Sequence, residues 1–174
     1  MKILYNKEQI QTAVNKIALE IHKRHYNDPN PPVMICVLNG AFMFFTDLVK
    51  AINIDCEIDF MRAKSYDDQL QTEVVITKDI ETDITGRHVY LIDDILDSGN
   101  TLRHIIKHYT TNPRISPASI TPVVLFKKWS SELDNCLYGI ELINESWLCG
   151  YGLDGPNGLM RNRDLIFGFE PEID

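Results

Sequence analysis

The run Val89-Tyr90-Leu91-Ile92 is apolar at every position. A strand of that composition must be buried on both faces, which is the habit of parallel sheets covered by helices. A polar stretch, Asp93-Asp94-Ile95-Leu96-Asp97-Ser98-Gly99-Asn100-Thr101, follows directly, and then Leu102, Ile105, Ile106 and Tyr109 recur at helical spacing. Strand, loop, helix is the half-unit of a parallel α/β sheet. The fold class is therefore expected to be α/β, with a mainly parallel central sheet flanked by helices.

The rest of the chain fits that frame. Asn6 followed by Gln9 is a capping pair, and Ile10, Val14, Ile17 and Ile21 then mark an amphipathic helix, ended by Asn27-Asp28-Pro29-Asn30-Pro31-Pro32. Val33 to Leu38 reads as a second buried strand, broken by Asn39-Gly40, and Ala41 to Ala51 as a helix. Ile54, Cys56, Ile58 and Phe60 alternate with Asp55, Glu57 and Asp59, which predicts a half-buried strand with the apolar set inward. Residues 62–73 are polar apart from Ala63, Tyr66 and Leu70, and read as an exposed, mobile loop. Val74-Val75-Ile76, Ile120 to Phe126, and short segments near 137–143, 147–149 and 165–169 complete the strands. No repeat or linker divides residues 1–174, so one domain is expected.

Composition narrows the function classes. The 174 residues carry 17 Lys plus Arg against 25 Asp plus Glu, a formal charge of −8, and no basic run is longer than two residues, as at Lys127-Lys128. A nucleic-acid surface needs clustered cations, so that partner class is set aside. No apolar stretch reaches the ~18–20 residues of a membrane span, and the start, Met1-Lys2-Ile3-Leu4-Tyr5-Asn6, lacks the pattern of a signal peptide. A cytoplasmic location is expected. Cys36, Cys56, Cys136 and Cys149 are widely spaced, which points to neither a zinc site nor a disulfide framework. His104 and His108 have metal-pair spacing but no third ligand, and read as structural or solvent-facing, as His22 and His25 do at a helix end.

Ligands of open α/β sheets bind beyond the carboxyl ends of the strands, where 93–101 is placed. Ser98, Gly99, Asn100 and Thr101 offer backbone N–H groups and two hydroxyls at a helix N-terminus, which suits a phosphate monoester. The three acids just upstream suit vicinal hydroxyls or a phosphate-bound Mg2+. Together they suggest a phosphorylated sugar. Taken singly, Asp97 and Ser98 are better explained as helix caps; the whole run after an apolar strand is not.

That run resembles the phosphoribosyl-pyrophosphate signature of type I phosphoribosyltransferases. Val37-Leu38-Asn39-Gly40-Ala41-Phe42, Lys64-Ser65-Tyr66, Val124-Leu125-Phe126-Lys127 and Trp147-Leu148-Cys149-Gly150-Tyr151-Gly152-Leu153-Asp154 appear in the order seen in hypoxanthine-guanine phosphoribosyltransferases. The resemblance implies a type I phosphoribosyltransferase fold with a small hood from the chain ends and a mobile active-site loop. It implies transfer of ribose 5-phosphate from phosphoribosyl pyrophosphate to a 6-oxopurine, with Mg2+, in a homodimer or homotetramer.

Residue by residue, the resemblance puts Asp93 and Asp94 on the ribose hydroxyls and metal, and makes Asp97 the general base toward the purine ring nitrogen. Ser98, Gly99, Asn100 and Thr101 hold the 5-phosphate. Lys127 donates to O6, Trp147 stacks on the purine, and Leu148 offers backbone groups to its edge. Asp154 binds Mg2+ on the pyrophosphate side, where Arg163 is the expected clamp and Arg161 its competitor. Ser65 and Tyr66 close over the site. Asn39 stands where many relatives have Lys, leaving the N–H groups of Asn39 and Gly40 for pyrophosphate, and Leu38-Asn39 is where the family often has a cis peptide. Asp93 replaces a more usual Glu, and no Ser/Thr-Gly run follows Tyr66. A xanthine-preferring enzyme and a phosphoribosyl-pyrophosphate-sensing regulator are the alternatives.

Overall fold

The structure, a computed structural model, describes residues 1–68, 71–143 and 147–169, with the side chains of 65–68, 71–73 and 169 left out of the description. The elements are β1 (Lys2–Tyr5), α1 (Lys7–His25), β2 (Val33–Leu38), α2 (Phe42–Ala51), β3 (Glu57–Asp68), β4 (Gln71–Lys78), β5 (His88–Leu96), α3 (Asn100–Thr111), β6 (Ser119–Lys128), β7 (Leu137–Leu142), β8 (Trp147–Cys149) and β9 (Ile166–Phe169). A six-stranded sheet runs in the order β4-β3-β2-β5-β6-β7. All its neighbours pair in parallel except β4, which is antiparallel to β3 at the edge. The order reverses direction between β2 and β5, so the crevice at their carboxyl ends is the topological switch point.

Helix α1 starts where the capping pair expects it. Asn6 Oδ1 accepts from the Gln9 N–H and Gln9 Oε1 from the Asn6 N–H, each at 2.9 Å. Its inward stripe, Ile10, Ala13, Val14, Ile17, Ala18 and Ile21, packs with Phe44, Phe45 and Leu48 of α2 on one face of the sheet. The other face is covered by Leu102, Ile105 and Tyr109 of α3, over Val33, Ile35, Leu91 and Val124. The central runs Val33 to Val37 and Val89 to Ile92 are thus buried throughout, as their unbroken apolar composition requires, while Leu38 and Ile95 nearer the carboxyl ends are half-buried.

Three expectations are corrected. The alternation at 54–60 holds for Ile54 and Cys56, half-buried beside exposed Asp55 and Glu57, and then reverses: Asp59 and Met61 are buried, whereas Ile58 and Phe60 are 48% and 37% exposed. Asp59 is tolerated inside because it accepts from the N–H groups of Phe60, Glu81 and Thr82, at 2.6 to 2.8 Å, and holds a carboxyl pKa below the usual value despite burial. Secondly, 62–73 is not a loop where it is described. β3 and β4 pair as an antiparallel ribbon from Arg62↔Lys78 to Asp68↔Gln71, held by main-chain hydrogen bonds that need no apolar alternation, while residues 69–70 lie outside the described residues. Thirdly, β5 does not stop at Ile92: it pairs with β6 through Asp93↔Val124, Ile95↔Phe126 and Leu96↔Lys127.

The chain ends build a second, antiparallel sheet, β1-β9-β8. This is the hood that the resemblance implies. Tyr151 fastens it to the main body: its buried hydroxyl donates to Asp47 Oδ2 on α2 at 2.7 Å. No helix among the described residues is long and apolar enough to cross a membrane.

Candidate active site at the carboxyl end of the sheet

Extension of β5 places Asp93 and Asp94 on a strand rather than in a loop. The Asp94 N–H donates to Asp93 Oδ1 at 2.9 Å and the Ile95 N–H to Asp94 Oδ1 at 2.7 Å. Burial, reinforced by the charge of Asp94, holds the Asp93 carboxyl well above its ordinary pKa. Burial also raises Asp94, opposed by the Ile95 N–H and by the Arg161 guanidinium nearby. Two crowded, desolvated carboxyls are poorly served as anions by protein alone. The β2–α2 turn lies against them: a Cβ added at Gly40 would overlap the Asp94 carboxylate. The Leu38–Asn39 peptide in this turn is cis.

Beyond β5 the chain turns through Gly99, in the left-handed region at φ 76°, into α3. The N-cap is this glycine, which has no side chain to cap with; neither Asp97 nor Ser98 stands at the N-cap position, although Ser98 Oγ accepts from the Asn100 N–H at 3.4 Å. The first N–H groups of the helix face the turn, the arrangement that favours an anionic group. Arg103 braces the turn from behind, donating to Ser98 O and Glu132 O, each at 2.7 Å. Ser131 Oγ donates to the carbonyl of Asp97. The Asp97 carboxylate itself is 69% exposed, with Lys128 Nζ 2.8 Å from its Oδ1.

Lys127, the last-but-one residue of β6, points the other way. Its ammonium is 3.5 Å from Glu141 Oε1 and 5.2 Å from the Tyr138 ring centroid. Under the hood, Trp147 stands 65% exposed while Leu148 is buried. Trp147, Asp154 and Gly155 to Gly158 line an open cleft of about 490 Å3. Asp154 Oδ2 is 3.0 Å from Arg161 Nη2, and Arg161 Nη1 donates to Gly152 O at 2.7 Å. The guanidinium that the structure brings to the acids is thus that of Arg161, whereas Arg163 has an exposed side chain and contributes its carbonyl to the Tyr151 N–H. The side chains of Ser65 and Tyr66 are outside what the structure describes.

Gly152 joins the hood to the β2–α2 turn. Its φ is 99°, and a Cβ there would overlap the carbonyl oxygen of Gly40. Gly152→Ala is therefore expected to cost about 1–3 kcal/mol of stability from backbone strain alone, read as a fall in Tm of about 2–4 °C for each kcal/mol. An unchanged Tm would show that the two segments are not held in contact.

Residues 1–154 match the family described as phosphoribosyl transferase domain. The chain belongs to the phosphoribosyl transferase family. It is 34% identical over 163 residues to the hypoxanthine-guanine-xanthine phosphoribosyltransferase of Tritrichomonas foetus, covering 90% of this chain and 85% of that one. It is 35% identical over 158 residues to the hypoxanthine-guanine phosphoribosyltransferase of Bacillus subtilis, covering 88% and 84%. The crystal structure of a hypoxanthine-guanine phosphoribosyltransferase from Bacillus anthracis superposes with a TM-score of 0.86 at 31% identity, over 98% of this chain and 99% of that one.

Membership of the phosphoribosyl transferase family suggests a divalent metal, and the acids fit one. Among the described residues no three His, Cys, Asp or Glu side chains are grouped to ligate an ion. Asp93 and Asp94 instead form a crowded pair of hard oxygen donors whose repulsion a cation would relieve, which suits an ion that keeps waters and substrate oxygens in its shell. His108 is not a ligand: its Nε2 is 3.2 Å from Asp79 Oδ2, beside the Tyr109 hydroxyl that donates to the same carboxylate. The contacts made by Lys128, Ser131 and Arg103 to 97–98 were not legible in the sequence. No spacing rule links them, because they bridge separate strand ends.

Proposed function

We propose that the protein is a purine-salvage glycosyltransferase, moving the 5-phosphoribosyl group from phosphoribosyl pyrophosphate to hypoxanthine or guanine and releasing pyrophosphate. The observation that carries this reading is the β5–α3 junction, where two desolvated acids precede a helix N-terminus that opens on Gly99 at the switch point of the sheet. The phosphate of the donor would sit on the N–H groups and hydroxyls of Ser98 to Thr101. The ribose hydroxyls would face Asp93 and Asp94.

The bond from the anomeric carbon to pyrophosphate breaks as a bond to the purine nitrogen forms, through a cation-like sugar of the kind met in glycoside chemistry. Asp93 and Asp94 accept hydrogen bonds from that sugar and favour its positive charge. Asp97 accepts the proton of the purine ring nitrogen as that nitrogen becomes the nucleophile. Trp147 and the backbone of Leu148 hold the base, with Lys127 at O6. Mg2+, bound by Asp93, Asp94 and Asp154, would neutralise the pyrophosphate. Arg161 and Arg163 are the guanidinium groups available to that leaving group, with the N–H groups of Asn39 and Gly40. Ser65 and Tyr66 would exclude water. A homo-oligomer belongs to this reading, and the exposed apolar side chains of Phe42, Ile58 and Phe60 support it.

A spectrophotometric assay with phosphoribosyl pyrophosphate, Mg2+ and each of hypoxanthine, guanine and xanthine tests the reading. Turnover is expected with hypoxanthine or guanine. Turnover with xanthine alone would move the assignment to a xanthine enzyme, and turnover with none would favour a phosphoribosyl-pyrophosphate-binding regulator.

A further inference from the structure

We infer that Lys128 is a positioning residue for Asp97, fixing one oxygen of its carboxylate so that the other faces the purine. The inference rests on the reading of Asp97 as general base. Lys128 Nζ lies 2.8 Å from Asp97 Oδ1, the shortest of the Lys ion pairs in the described structure. The lysine side chain is only 25% exposed although the aspartate is 69% exposed. An exposed aspartate otherwise has free rotamers and water at both oxygens. One oxygen held by an ammonium leaves Oδ2 with a defined direction.

The contact is part of a larger brace. Residues 128–132, the segment leaving β6, touch Asp97 twice, through Lys128 to its carboxylate and through Ser131 Oγ to its carbonyl, and are tied to Ser98 a third time by Arg103, which donates to both Glu132 O and Ser98 O. Ser131 is 6% exposed, so the backbone of the turn is fixed independently of the lysine. Lys128 then acts on the side chain alone. Strand alternation completes the arrangement, because Lys127 and Lys128 leave β6 on opposite faces: Lys127 toward Glu141 and Tyr138, Lys128 toward Asp97. A single dipeptide would place both the O6 donor and the base that receives the ring proton.

The test is a double-mutant cycle on kcat with hypoxanthine, using Lys128→Met, Lys128→Arg, Asp97→Asn and the Lys128→Met/Asp97→Asn double variant. A single part-exposed ion pair corresponds to a modest effect. Lys128→Met is expected to lower kcat about tenfold with KM for phosphoribosyl pyrophosphate within about twofold. Lys128→Arg, which keeps the ion pair, should restore most of that loss. In the Asp97→Asn background Lys128→Met should change kcat less than about twofold. An equal loss in both backgrounds, or no loss in either while Asp97→Asn is impaired, would overturn the positioning role and leave Asp97 as the base. Unimpaired Asp97→Asn would remove the base itself, and the role of Lys128 with it.

Discussion

Asp97→Asn is expected to lower kcat with hypoxanthine by about 10²- to 10⁴-fold, the range a positioned proton acceptor supplies. The substitution keeps shape and removes one function: a carboxamide oxygen can accept a hydrogen bond but does not take up a proton at neutral pH. Affinity for phosphoribosyl pyrophosphate should change by no more than a few fold. The reason is the turn geometry, in which Gly99 at φ 76°, the Arg103 bridge and the Ser131 hydroxyl shape the phosphate cradle through main-chain atoms. Stability should also be preserved. The carboxylate is 69% exposed and its ion pair reaches a part-exposed lysine, and such pairs contribute about 0–1 kcal/mol. Steady-state kinetics beside a thermal melt checks this, and equal kcat in the two proteins would remove Asp97 from the mechanism.

The sequence alone carries this kinetic expectation because the β5–α3 junction is a local pattern. Its strand, its turn glycine and its helix are contiguous, so periodicity and backbone preference report on the same stretch of chain. The elements that escaped are those fixed by distant partners. β1 is four residues long, and it is a strand only because Ile3 pairs with Phe167 and Lys2 with Gly168 at the far end of the chain. Residues 62–68 look like a loop because the β3–β4 ribbon gains its order from main-chain pairing. Asp59 defeats the alternation rule for a related reason: three N–H groups, two of them about twenty residues away, satisfy an acid that the pattern places outside. The same limit holds in the site. The order of the motifs named Asp93, Asp94 and Asp97, but the desolvation of the first two and the tie from the third to Lys128 arise from strand ends packed side by side. Arg161 and Arg163 are two residues apart, and only the folded hood distinguishes the one beside Asp154 from the one turned to solvent.

Selectivity for the base gives the second large effect. A lysine ammonium has three donors and no acceptor. Facing the O6 of hypoxanthine or guanine it gains a partner; facing the 6-amino group of adenine it meets another donor, and neither group finds an acceptor in the other. Mismatches of this kind at desolvated polar sites amount to about 10⁴-fold in kcat/KM. Adenine is therefore expected to react at least about 10³-fold less efficiently than hypoxanthine. The environment of Lys127 makes the donor available: its side chain is 20% exposed, and it leans on the Tyr138 ring and on Glu141 at 3.5 Å, a contact longer than a strong charge-assisted hydrogen bond. Exchanging that weak contact for O6 costs little. Lys127→Met should consequently depress kcat/KM for hypoxanthine far more than for adenine, narrowing the ratio between them by about 10²-fold or more. Comparable kcat/KM for the two purines in the unaltered enzyme, or a ratio untouched by Lys127→Met, would show that the exocyclic group is read by something other than this lysine.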